Sequence, residues 1–183
     1  MTEQLELSLE ERLRRTIRDI PDFPQPGIVF KDITPVLNDA QLLPAVIRGL
    51  ADEFGRAGVE QIAGIESRGF IFAAPLALAL GCGFVPIRKP GKLPFRTARV
   101  DYQLEYGTDA LEVHVDAFRP GQRVLIVDDV LATGGTASAA VRLVRRLGGD
   151  VLAVAFVAEL AGLRGRDKLL DVPVHSLLTY PGA

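Results

Sequence analysis

Two nearly uninterrupted apolar runs constrain this chain most: Arg123-Val-Leu-Ile-Val127 and Val151-Leu-Ala-Val-Ala-Phe-Val157. A strand with no polar face must be covered on both sides, which is the environment of a parallel sheet between two helical layers. Helical patterns stand where such a sheet needs them. Leu42, Leu43, Val46, Ile47, Leu50 and Phe54 fall on one helical stripe, and the glycines at 55 and 58 close it. Gln61 to Glu66 reads as a strand, Phe70 to Leu80 as a helix, and Phe84 to Arg88 as another strand. A helix from about Thr136 to Leu147 follows the first apolar run, and Gly148-Gly149 turns the chain into the second. The expected fold is α/β: an open, mostly parallel sheet flanked by helices, with ligands at the carboxyl ends of its strands.

Two segments depart from this rhythm. At the N-terminal end, Ser8 and Glu11 form a capping-box pattern ahead of Leu9, Leu13 and Ile17, which predicts an amphipathic helix over residues 8–18 that stops before Pro21. Pro21 to Gly27 is stiff and turn-rich and leads into a short strand at Ile28, Val29 and Phe30. Between Lys89 and Val115 the residues become charged and aromatic. Leu111, Val113 and Val115 alternate there with Glu112 and His114, as in an antiparallel hairpin. We expect one domain over residues 1–183, with the N-terminal helix and a hood at 1–35 and a flap at about 89–115.

Composition narrows the function. An apolar fraction of 48% beside 24% charged residues excludes an intrinsically disordered chain. Twenty-one basic residues against 23 acidic ones give a net charge of −2, which offers no overall footprint for nucleic acid or an anionic membrane. The uncharged stretch from Gly69 to Ile87 is broken by Pro75, Gly81, Gly83 and Pro86, and fits a helix plus a short strand better than a membrane span. Cys82 is the single cysteine and cannot form an internal disulfide. The charged N-terminal stretch lacks the apolar core of a signal peptide, so a cytoplasmic location is expected.

The segment Val124-Leu-Ile-Val-Asp-Asp-Val-Leu-Ala-Thr-Gly-Gly-Thr136 carries the most chemistry. Gly134 and Gly135 let successive N–H groups converge, and Thr133 and Thr136 add hydroxyls at the positive end of a helix dipole. This is a cup for an anion, most naturally a phosphate monoester. Two adjacent carboxylates, Asp128 and Asp129, are costly to bury unpaired and should face solvent or a polar ligand such as a ribose diol. Taken alone, the same residues also read as an ordinary polar strand end followed by a helix N-cap turn.

This segment resembles the phosphoribosyl pyrophosphate (PRPP) motif of the type I phosphoribosyltransferases. Four further stretches resemble the adenine-specific members of that family in order and spacing: Pro21-Asp-Phe-Pro-Gln-Pro-Gly-Ile-Val-Phe-Lys-Asp-Ile-Thr-Pro35, Gly64-Ile-Glu-Ser-Arg-Gly-Phe70, Arg88-Lys-Pro-Gly-Lys-Leu-Pro94 and Leu104-Glu-Tyr-Gly107. The similarity runs from about Leu9 to Tyr180. It implies transfer of a phosphoribosyl group from PRPP to adenine, giving AMP and pyrophosphate, in a homodimer assisted by Mg²⁺. It also implies roles for single residues. Asp128 and Asp129 would bind the ribose hydroxyls, and Ala132, Thr133, Gly134, Gly135 and Thr136 the 5′-phosphate. Ser67 and Arg68 belong to a pyrophosphate loop with a cis peptide expected between Glu66 and Ser67. Arg88, Lys89 and Lys92 would supply cations for pyrophosphate, some across a dimer interface. Glu105 would handle a proton of the purine, and Val29, Phe30, Arg68 and Leu160 would form the adenine pocket. Ser67 and Val130 replace the alanine and leucine of many bacterial members.

Without the resemblance, Arg68 reads as a solvated helix-entry residue, the lysines as surface charges, Glu105 as part of a surface turn, and Phe30 and Leu160 as core. His114 and His175 are too isolated to suggest a protein-built metal site, and Mg²⁺ is expected to be held by PRPP oxygens and water. Two other functions compete: a phosphoribosyltransferase for another base, and a PRPP-binding regulator.

Overall fold

The computed structural model describes residues 7–103 and 107–182. Helix α1 (Leu9–Thr16) opens it, and both halves of the predicted capping box are made: Ser8 Oγ accepts from the Glu11 N–H, and Glu11 accepts from the Ser8 N–H at 2.9 Å. The chain leaves the helix earlier than its pattern suggested. Arg18–Pro21 forms strand β1, which pairs antiparallel with β2 (Val29–Asp32). The pairing partner lies 14 residues on from Arg18, at Asp32, so helical periodicity could not announce it. Lys31 Nζ sits 2.6 Å from Asp19 across this hairpin.

Helices α2 (Thr34–Asn38) and α3 (Leu42–Phe54) precede the central sheet. Its strands are β3 (Gln61–Ile65), β4 (Gly83–Ile87), β7 (Arg123–Leu131), β8 (Asp150–Leu160) and β9 (Val174–Tyr180), in the spatial order β4-β3-β7-β8-β9. Every pairing in it is parallel. Strand β9 is an addition to the sequence reading. Helix α4 (Gly69–Leu80) joins β3 to β4, and α5 (Gly135–Arg146) joins β7 to β8. The remaining pair, β5 (Thr97–Gln103) with β6 (Thr108–His114), is the expected antiparallel hairpin.

Alternate residues of the central strands feed two apolar clusters. Val124 and Ile126 of β7 pack with α5 and the β5–β6 hairpin, whereas Leu125 and Val127 pack with α1, α3 and α4. Both faces of β7 are thus closed, which explains its unbroken apolar run. The uncharged stretch from Gly69 resolves into α4 and β4, and among the described residues no helix is long and apolar enough to cross a membrane.

Adjacent strands β3 and β7 send their helices to opposite faces of the sheet. Their carboxyl ends therefore part, and a crevice opens between the two following loops.

Candidate active site

A cavity of about 220 Å³ occupies that crevice. Three segments line it: residues 66–68 after β3, residues 128–137 at the end of β7 and the start of α5, and Lys89, with Phe156 below. Strand β7 continues past the predicted end at Val127 through Leu131. Asp128 and Asp129 are therefore strand residues that both line the cavity, and not a loose strand end.

Asp129 is 3% exposed, and its Oδ2 lies 2.7 Å from Nε of Arg68. The two are close but not aligned as a hydrogen bond, so this oxygen has an ionic partner without a donor aimed at it. Burial pushes the Asp129 carboxyl up, against the pull of Arg68. Asp128 is pushed well above the ordinary aspartate range, first by burial and then by the charge of Asp129. Its Oδ1 accepts from the Asp129 N–H at 2.9 Å. Two carboxylates under this strain suit a ligand that brings hydroxyl donors and neutralising charge.

Arg68 reaches them because Gly69 lets α4 begin directly against β7. A Cβ at Gly69 would stand 2.8 Å from the Val127 carbonyl oxygen and 2.9 Å from Asp128 Oδ1. The Glu66–Ser67 peptide just before it is cis, as expected. The Arg68 guanidinium also lies 5.0 Å from the Phe30 ring centroid, so it ties the β1–β2 hood to the cavity.

On the other side, Gly134 caps α5 in a left-handed conformation, φ 75°, and offers no side-chain cap to the first turn. The free N–H groups of that turn face the same crevice as the Thr133 and Thr136 hydroxyls. Gly134 is also held from behind, since a Cβ there would run into the backbone of Gly165.

The cations are already engaged. Arg88 grips Glu66 through two nitrogens, at 2.9 and 3.2 Å, and Glu66 also accepts from the Lys89 N–H at 2.8 Å. The hydrogen bond from Arg88 lowers the Glu66 pKa despite partial burial. Arg88 thus braces the loop and does not point a free charge into the cavity. Lys89 Nζ donates to the Tyr102 hydroxyl at 2.9 Å and to Asp109. Burial alone would lower its pKa, but these bonds outweigh it and raise the ammonium. Tyr102 also accepts from Thr136 Oγ1 at 3.3 Å, so this tyrosine joins the β5–β6 hairpin both to the cavity lysine and to the start of α5.

Other predicted residues stand apart from this cluster. Lys92 is exposed, and its carbonyl accepts from Arg88 at 3.1 Å. Val29 is 50% exposed, and Leu160 ends β8 opposite Tyr180, neither of them lining the cavity. Glu105 lies outside the described residues. Sequence reasoning did not single out the roles of Glu66, Tyr102, Asp109 and Gly165. Nothing in their spacing marks them, because each acts on a segment distant in the chain.

A parallel sheet with an adjacent acid pair and a glycine-rich helix start lining one cavity at its switch point is the layout in which α/β folds hold nucleotides and sugar phosphates. The phosphoribosyl transferase domain family matches residues 37–176. Adenine phosphoribosyltransferase of Anaeromyxobacter dehalogenans is 58% identical over 170 residues, 93% of this chain and 99% of its own. That of Thermosynechococcus vestitus is 54% identical over 92% of this chain and 99% of its own. Among solved structures, adenine phosphoribosyltransferase of Thermoanaerobacter pseudethanolicus superposes with a TM-score of 0.92 at 53% identity, covering 94% of this chain and all of that one. The Saccharomyces cerevisiae enzyme, solved with an imino-altritol bisphosphate and adenine, gives 0.87 at 42% identity, covering 92% and 98%. This chain belongs to the phosphoribosyltransferase family, in its adenine phosphoribosyltransferase branch.

Proposed function

We propose that the chain transfers the 5-phosphoribosyl group of PRPP to N9 of adenine, giving AMP and pyrophosphate. The observation that carries this reading is the joining, in one cavity, of the Asp128–Asp129 pair, the amide-rich cup at Ala132–Thr136 and the Ser67–Arg68 loop. The ribose diol donates to Asp128 and Asp129 and replaces Arg68 at Asp129. Arg68, released, turns its charge to pyrophosphate and its backbone to the adenine edge. Backbone groups discriminate an amine from a carbonyl because the wrong base leaves a buried donor or acceptor unpaired.

Bond formation from N9 to C1′ breaks the bond from C1′ to the pyrophosphate oxygen. Pyrophosphate departs with that electron pair toward Ser67, Arg68 and Lys89, with Arg88 holding the loop. The N9 proton passes to Glu105, and the flap excludes water from the electron-poor ribosyl carbon. Val29, Phe30 and Leu160 serve as walls for the base; the contact with Arg68 supports this for Phe30.

Mg²⁺ suits the donor set. Among the described residues no three His, Cys, Asp or Glu side chains gather as a metal cage, while two carboxylates face the crevice. The ion would be held by PRPP oxygens and water. When bound it offsets the charge of the leaving pyrophosphate. A homodimeric, cytoplasmic enzyme belongs to the same reading; Lys92, exposed and outside its own cavity, would serve the neighbouring site.

The test is an assay of each purine base with PRPP and Mg²⁺, with nucleotide and pyrophosphate both measured. AMP from adenine is the expected product. Faster IMP formation from hypoxanthine would overturn the base assignment, and PRPP binding with no product from any base would favour a regulator. Glu105→Gln should bind PRPP normally yet lose most turnover.

A further inference from the structure

Glu159 is a buried acid that the proposed reaction does not use. It is 4% exposed, sits near the carboxyl end of β8, and its register partner on β7 is Leu131, the residue before the phosphate cup. Arg166 donates to both carboxylate oxygens, Nε and Nη2 at 2.7 Å each, and Ser176 Oγ of β9 donates to one of them at 3.0 Å. Arg166 Nη1 also donates to the Val174 carbonyl at 3.0 Å. Its guanidinium therefore fixes the 3₁₀ turn Gly165–Lys168 to two strands at once.

That turn is the surface on which the phosphate cup rests. A Cβ at Gly165 would stand 2.8 Å from Leu131 Cδ1 and run into the Ala132 carbonyl oxygen. A Cβ at Gly134 would stand 3.0 and 3.1 Å from the carbonyl carbon and Cα of Gly165 and closer still to its oxygen. The two backbones touch with no room for a methyl group between them. A shift of the turn toward the cup must displace it, and a shift away removes its support.

We infer that Glu159 and Arg166 are positioning residues for the 5′-phosphate: their fork-to-fork pair holds the Gly165 turn, and the turn sets the direction of the cup's N–H groups. The inference rests on reading Ala132–Thr136 as the phosphate cradle. Arg–carboxylate forks are the side-chain pairs best suited to fix an orientation. A displacement of about 1 Å in a binding element reduces reaction efficiency by as much as ~100-fold.

Arg166→Ala, with Arg166→Lys beside it, tests this. In the alanine variant KM for PRPP and the inhibition constant of ribose 5-phosphate should rise by about tenfold or more, while KM for adenine stays within about twofold. Arg166→Lys should restore part of the loss. In the wild-type protein, saturating ribose 5-phosphate should slow amide exchange in residues 166–168 as well as 134–136, since coupling between two sites is reciprocal. A folded alanine variant that binds ribose 5-phosphate as the wild type does would overturn the inference while leaving the proposed reaction standing. So would wild-type protection confined to the cup, a measurement that decides the matter even if the variants do not fold. Failure of the wild type to bind ribose 5-phosphate would instead overturn the cradle itself.

Discussion

Gly134→Ala isolates the contact on which the proposed phosphate cup depends. The residue has φ 75°, where a side chain other than glycine costs about 1–2 kcal/mol. The new methyl would also run into the Gly165 backbone, and backbone cannot rotate aside as a side-chain tip can. Overpacking of this kind costs about 1–3 kcal/mol, so the total is about 2–5 kcal/mol. In a protein of this size that corresponds to a fall in Tm of about 4–20 °C. The cup must retreat by about 1 Å, which should reduce kcat/KM for PRPP by about 100-fold. Gly121→Ala is the control: its φ is 74°, but nothing lies within 4 Å of the added carbon, so it bears the conformational cost alone. Thermal unfolding and steady-state kinetics of both variants decide the question. Equal losses of Tm in the two, with PRPP kinetics unchanged in Gly134→Ala, would refute the steric argument.

Asp128→Asn should lose activity and gain stability, because the carboxyl is held above its ordinary range by burial and by Asp129. A raised carboxyl costs the fold nothing below the ordinary aspartate value, where it is neutral in both states, and a growing amount as pH rises from there through its raised value, so the gain, about 0.5–2 kcal/mol, should be larger at pH 8 than at pH 5; a variant less stable than wild type at pH 8 would contradict this. Asp109→Asn frees Lys89 from a half-exposed ion pair, worth about 0.5–1 kcal/mol after solvent screening. Magnesium pyrophosphate should then bind about two- to fivefold more tightly by calorimetry, and unchanged or weaker binding would show that Asp109 does not compete for the lysine. Glu66 has the opposite sign to Asp128: its pKa is lowered by Arg88, so its stabilisation is present above the ordinary glutamate range and is lost as pH falls through the lowered value. The stability difference between wild type and Glu66→Gln should accordingly be constant near neutrality and shrink in acid; a difference that grows in acid would reverse the assignment.

Much of the scaffold was legible because it follows from short-range patterns. The unbroken apolar run of β7 required cover on both faces, and helical stripes at Leu42–Phe54 and the start of α5 supplied it. The hairpin between Lys89 and Val115 showed in its alternation. Strand β1 was hidden because Arg18 to Pro21 continues a helical sequence and becomes a strand only by pairing with β2. Strand β9 was unassigned for a similar reason: it earns its place by adding to the edge of β8. The acid pair and the glycine-rich turn before α5 were legible as a local string, since a strand, two acids and a glycine turn specify their own geometry.

The sequence by itself determined the alternation of strands and helices from Leu42 to Val157, the need for cover on both faces of the sheet and the location of the glycine-rich turn before α5. Only the tertiary structure decided that Arg68 sits at Asp129, that Lys89 is held by Tyr102 and Asp109, and that Gly165 backs Gly134. Periodicity reports which residues are buried by their near neighbours along the chain. Ion pairs and backbone contacts between segments tens of residues apart leave no such period, and they exist only once the sheet has brought those segments to one crevice.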